Sequence, residues 1–187
     1  MEPRKLIEIL SVAERLKDTT RHCCTSGGRR ESVAEHCWRA ALMAWFLRDE
    51  FPEADMNKVI SMLLIHDLGE AFTGDIPAFE KTTSHRKEEN RLLQNWVRTL
   101  PEPYASEMTE LYAEMDARQT LEAKIYKALD GIEAVIQHNE SDVRTWIPEE
   151  YTLNKTYAAD RVLFSAYLTD LRREVREDTV RKLGEQE

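Results

Sequence analysis

No apolar run in the 187-residue sequence approaches membrane-spanning length. MEPRKLIEIL does not supply a leader's h-region either. Glu2 and Glu8 interrupt it, so no signal peptide is expected. Positive charge is in deficit: 26 Lys and Arg face 35 Asp and Glu, a formal net charge of -9. That argues against a partner such as long nucleic acid, whose phosphates need a basic footprint. A small anion held by a local cluster stays open, with Arg21, Arg29 and Arg30 in one loop and Lys124 and Lys127 on a later segment. Cysteine is scarce: three residues, two of them the adjacent Cys23 and Cys24, with no Cys-x-x-Cys spacing. The count disfavours a disulfide framework and a structural zinc site, and fits reduced thiols in the cytoplasm. Strand patterns, internal repeats, low-complexity tracts and domain boundaries are also missing.

What is present is helical period almost throughout. Pro3 suits a first helical position, followed by a face of Leu6, Ile7, Leu10, Ala13 and Leu16. The loop DTTRHCCTSGGRRE hinges at Gly27-Gly28. Ser32 and Glu35 then form a capping box for a helix carrying Val33, Cys37, Ala40, Ala41, Ala44 and Leu47. A third helix starts near Asp55 and is apolar nearly all round, so it is expected at the centre, ending or bending at Gly69. Helices from about Ser84, from Tyr104 and over Thr120–His138 follow. A last one carries Tyr157, Phe164, Leu168, Leu171 and Val175. The reading is all-α, a single-domain helical bundle over 1–187.

Several polar residues stand where apolar ones belong. His36 is the polar member of a face made by Val33, Ala40, Met43 and Leu47. His66 and Asp67 end the most apolar helix. His66 answers the dipole of a helix C-terminus, but Asp67 sits on its unfavourable side, a cost that a bound cation reverses. Glu70 lies one turn after His66 and can face the same spot. Asp75 in Gly74-Asp75-Ile76-Pro77 is by default a turn residue. Asp130 falls opposite the Leu121/Ile125/Ile132 stripe, near Ala123, Tyr126, Lys127 and Ala134. Periodicity leaves it either solvated or on a second packed face of small residues.

The ordered set His36, His66-Asp67, Asp130 resembles the HD-domain metal-dependent phosphohydrolase superfamily. ESVAEHCWRAALMA, LLIHDLGEAFTGDIP and EAKIYKALDGIEAVIQ are similar to its 5'-deoxynucleotidase branch. The likeness runs from about Arg15 to Glu140 and loosely beyond. It implies a metal-binding core over about 15–140 and a C-terminal helix over about 154–183. It implies that His36, His66, Asp67 and Asp130 bind a divalent metal, and that Glu70 is catalytic. Asp75 and Ile76 then meet the substrate and, with Glu70, in some members help hold a second ion. Arg21 orients the phosphate. His22 and Ala78 depart from residues found in some members, which bears on sugar and base preference.

The implied activity is removal of phosphate from (deoxy)ribonucleoside 5'-monophosphates, by metal-activated water attacking phosphorus. Two imidazoles and two carboxylates suit Mn, Co, Fe, Ni, Zn or Mg without choosing among them. Glu70 or Asp75 manages protons, and Arg21 grips the phosphate with its planar fork. The resemblance also suggests a homodimer. Two alternatives stay open. One is a di-iron oxygenase, which needs extra histidines such as His85, although His85 also reads as a first-turn helical residue. The other is a hydrolase of another nucleotide phosphate ester.

Overall fold

Helix α7 (Leu121–Glu140) is the axle of the computed structural model, which describes residues 1–184. The expected domain runs to 187, so residues 185–187 lie outside the described residues. α7 has buried side chains on every side: Ile125, Leu129 and Ile132 on one, the small Ala123, Gly131 and Ala134 on another. Small residues let neighbouring helices come close, so a helix that looks one-sided by hydropathy is packed all round. Against it lie α2 (Val33–Phe46), α3 (Met56–Ile65), α6 (Tyr104–Ala117) and α9 (Ala166–Leu183). The shared core includes Val33, Ala40, Val59, Met62, Leu63, Ile125, Leu129, Ile132 and Leu168, all fully buried. Each of the Val, Leu, Ile and Met side chains contributes about 1.5–3 kcal/mol by leaving water. α1 (Pro3–Glu14), α4 (Glu70–Thr73), α5 (Thr83–Val97) and α8 (Glu150–Thr156) complete nine α-helices among the described residues. No described helix is long and apolar enough to cross a membrane.

The helix starts follow the expected capping chemistry. Ser32 and Glu35 form the capping box of α2, and Asp55 accepts from the backbone N–H groups of Asn57 and Lys58 at the start of α3. Thr82 caps α5, and the His85 ring accepts in return from Thr82 N–H at 3.3 Å.

Four local expectations are corrected. The glycine-hinged loop is an antiparallel hairpin, β1 (Thr20–Cys24) with β2 (Arg30–Ser32), turning where Gly28 takes φ +84°. The α1 face is not buried: Leu6, Ile7 and Leu10 are exposed. α3 is less central than α7, and Leu64 is half exposed. The C-terminal helix is two, α8 and α9. Ala158 at φ +61° breaks the run, Tyr157 and Phe164 fall in the turns between, and Ser165 caps α9 by accepting from Leu168 N–H.

The turn at Ala158 packs on α7 so closely that a Cβ at Gly131 would lie 2.5 Å from Ala158 Cβ and 3.0 Å from Arg161 Nη1. Gly131→Ala should therefore destabilise, because about 1–3 kcal/mol of overpacking outweighs the roughly 1 kcal/mol that alanine gains in a helix. Gly27→Ala, whose Cβ would meet only Thr25 Oγ1 at 3.8 Å, should be near neutral. Denaturant midpoints of the two variants check this.

Candidate functional site

Three elements meet at one buried point. α2 carries His36, the turn after α3 carries His66 and Asp67, and α7 carries Asp130. His36 Nε2 lies 3.2 Å from Asp130 Oδ1 and 3.9 Å from Asp67 Oδ2. His66 Nε2 lies 3.1 Å from Asp67 Oδ2 and 3.4 Å from Asp130 Oδ1. Asp130 thus faces inward, on the second packed face of α7.

The imidazoles are oriented from behind. His66 Nδ1 sits 2.9 Å from the Leu63 carbonyl, to which it donates, so the Nε2 lone pair turns toward Asp67 and Asp130. Nε2 is buried and has no hydrogen-bond partner. His36 Nδ1 donates to the fully buried Glu133 carboxylate, which turns its Nε2 toward Asp130. Two lone pairs and two carboxylates pointing at one another repel unless a cation lies among them. Donor separations of this size suit ligands arranged around an ion at about 2.0–2.3 Å. The residues therefore fit a divalent metal.

The electrostatics agree. Burial, the largest influence on His66, disfavours its protonation. Asp67, Cys37 and Asp130 outweigh it and raise the His66 pKa well above the ordinary range. Burial raises Asp130, but Lys127 at 2.6 Å and the two histidines pull it well below the usual carboxylate range. Asp67 is likewise lowered, against burial, by His66 and His36. The cluster demands positive charge strongly enough to draw protons.

Around it lies a cavity lined by Arg21, His22, Asp75, Ile76, Glu70 and Lys127, among others. Every residue named from the sequence as catalytic or substrate-binding thus borders one space. Arg29 does not: it lies on the surface and pairs with Glu35. Arg21 Nη1 donates to Glu31 at 2.8 Å and lies 3.4 Å from Glu133 Oε2. Sequence reasoning missed Glu133, which joins His36, Arg21 and Arg39 (Arg39 Nε to Glu133 Oε1, 2.6 Å), as well as Glu31 and Lys81. The available signal was spacing. Glu133 stands one turn after Asp130 among Gly131, Ile132 and Ala134, a charge inside a packed face.

Glu70 is 5% exposed, and its pKa is pushed up to about 9 by burial, then by Asp67 and Asp75, against Lys81 at 3.3 Å. Asp75 is raised too, chiefly by burial. For Glu70 the folded protein holds a proton that the unfolded chain releases near pH 4.5, so stability falls as pH rises from there toward 9. Glu70→Gln should consequently stabilise the chelator-treated protein at pH 8 and change it little at pH 4. Thermal midpoints at the two pH values check this.

The HD domain family matches residues 13–169. Over 142 residues the chain is 33% identical to human 5'-deoxynucleotidase HDDC2, an alignment covering 73% of this chain and 68% of that protein. Its fold is similar to a predicted metal-dependent phosphohydrolase from Magnetospirillum magnetotacticum, with TM-score 0.80, 26% identity and 98% of each chain covered. It is also similar to the cyanophage S-2L HD phosphohydrolase DatZ, whose structure holds dA and one catalytic zinc ion. There the TM-score is 0.59 at 21% identity, with 97% of this chain and 98% of that one covered, a likeness of fold alone. The buried His-His-Asp-Asp convergence and these similarities agree: the chain belongs to the HD domain family of metal-dependent phosphohydrolases, in its 5'-deoxynucleotidase branch.

Proposed function

We propose that the chain removes phosphate from deoxyribonucleoside and ribonucleoside 5'-monophosphates, with a divalent metal held by His36, His66, Asp67 and Asp130. The observation that carries this reading is the His66 Nε2 lone pair, fixed toward two carboxylates by the Leu63 carbonyl and otherwise without a partner. When bound, the ion supplies Lewis-acid charge that makes water nucleophilic near neutral pH. The chain's own groups do the rest. Arg21 is held in place through Nη1, and its Nη2 makes no hydrogen bond among the described residues, so it can meet a phosphate oxygen. Lys127 steadies Asp130 from behind. Glu70, buried beside Asp67 and Asp75 and lining the same cavity, is the group proposed to manage a proton on the attacking water or the departing 5'-oxygen. Asp75 and Ile76 line the substrate space. Glu70, Asp75 and Ile76 are also the residues proposed to hold a second ion.

The oxygenase alternative loses its support, because the His85 ring caps α5 on the exposed surface. A longer phosphate chain is the second reading. A neighbouring cavity beside His66 and Asp67 is lined by Lys81, Arg86, Lys87 and Arg118, cations that a polyphosphate would use.

The chain is further proposed to act as one domain over 1–187, as a cytoplasmic homodimer. The three thiols are free and buried. The Leu6, Ile7 and Leu10 side chains of α1, and Trp38, Trp45 and Phe46 of α2 at 61%, 47% and 70% exposure, form exposed apolar faces. Trp38→Glu with Phe46→Glu should shift sedimentation from dimer to monomer. A wild-type chain that sediments as a monomer overturns the homodimer.

Phosphate release from mono- and triphosphates across a metal panel tests the chemistry. Glu70→Ala should lose turnover by about 10²–10⁴-fold, as for a proton-managing group. Arg21→Lys should lower kcat/KM sharply at unchanged metal content, since an ammonium lacks the bidentate fork, whereas Arg29→Ala should do far less. Wild-type rates for Arg21→Lys would remove Arg21 from the phosphate site.

A further inference from the structure

The cavity extends well past the His-His-Asp-Asp cluster. Asp130, Ala134 and His138 succeed one another on a single stripe of α7, and all three line it. At 1.5 Å per residue His138 stands ~12 Å from Asp130, the scale of a nucleoside 5'-monophosphate from phosphorus to the far side of its base. That far end holds a set of polar groups the chemistry above does not use. His138 Nε2 lies 2.7 Å from Glu150 Oε1, and Glu150 Oε2 accepts from Ile147 N–H at 2.9 Å. His22 Nε2 is 3.3 Å from Glu150 Oε1 but not aligned as a hydrogen bond. One turn after Glu150 on α8, Asn154 is 4% exposed, and its Nδ2 donates to nothing among the described residues. A buried amide N–H without an acceptor is uncommon and costly. Beside these groups the His22 ring meets Phe79 edge-on at 5.7 Å, an aromatic corner in the same cavity.

We propose that this end wall recognises the nucleobase. The base lies against His22 and Phe79, offers an acceptor to Asn154 Nδ2, and directs a donor at the Glu150 carboxylate. Every base-pairing edge sets an acceptor beside a donor, so the wall accepts a heterocyclic base edge in general and rejects a phosphate ester that lacks one. The inference rests on the nucleotide reading of the site and adds to it the residues that hold the base.

The test compares a deoxynucleoside 5'-monophosphate with 2-deoxyribose 5-phosphate, which keeps the sugar and phosphate but has no base. Both are assayed with the metal-loaded wild type, Asn154→Ala and the isosteric Asn154→Asp. Calorimetry with the free deoxynucleoside gives a readout independent of turnover. Asn154→Ala should lower kcat/KM for the nucleotide, and affinity for the deoxynucleoside, by roughly 3- to 10-fold, the yield of one uncharged hydrogen bond. It should leave 2-deoxyribose 5-phosphate unaffected. Asn154→Asp, which swaps the donor for an acceptor of the same shape, should lose at least as much. Equal losses on both substrates would make Asn154 a structural residue and overturn the proposal, as would no loss on the nucleotide. If the wild type hydrolyses neither ester yet binds deoxynucleosides in an Asn154-dependent way, the phosphatase reading fails and the base wall stands.

Discussion

The carboxylates of Asp67 and Asp130 and the Nε2 lone pairs of His36 and His66 converge where burial has stripped away water, and groups of that polarity stay together only around positive charge. Everything nearby answers this constraint. Leu63 O and Glu133 set the two imidazole orientations, and Lys127 neutralises the outer oxygen of Asp130. Three chain segments distant in sequence are drawn to one point, so α2, α3 and α7 must pack closely. The Ala40 and Ala44 positions of α2, both fully buried, allow that approach.

Glu133 links the proposed metal site to the proposed phosphate site. One of its oxygens receives His36 and faces Arg21, and the other receives Arg39. A carboxylate shared in this way holds Arg21 and His36, the proposed phosphate clamp and a proposed metal ligand, in fixed relation. The hairpin β1–β2 is what places Arg21 there, and Glu31 in the middle of β2 anchors the same guanidinium. An arginine on a free loop would lose more entropy on meeting a phosphate.

Glu70 shows the opposite logic. It sits on a four-residue helix directly after the His66-Asp67 turn, among carboxylates and paired with Lys81. Such a group costs stability as pH rises, which is a reason to read it as functional and not as packing.

From the sequence alone, the helical bundle, the Ser32–Glu35 capping box, the helix starts near Asp55 and Thr120, and the anomaly of His66-Asp67 on an apolar helix were legible, because each is a local pattern of period or neighbour. The Asp130 role came through resemblance, since periodicity left its face undecided. Only the tertiary structure decided that α7 is packed all round, that the Gly27-Gly28 loop is a hairpin, that the α1 face is exposed, and that Glu133 lies behind His36. Each depends on which surfaces from distant parts of the chain meet, and close approach at small residues such as Ala134 and Gly131 leaves no strong hydrophobic signal. The ion-demanding cluster is likewise a product of three separate segments, and the repulsion that calls for a cation exists only once they are folded together.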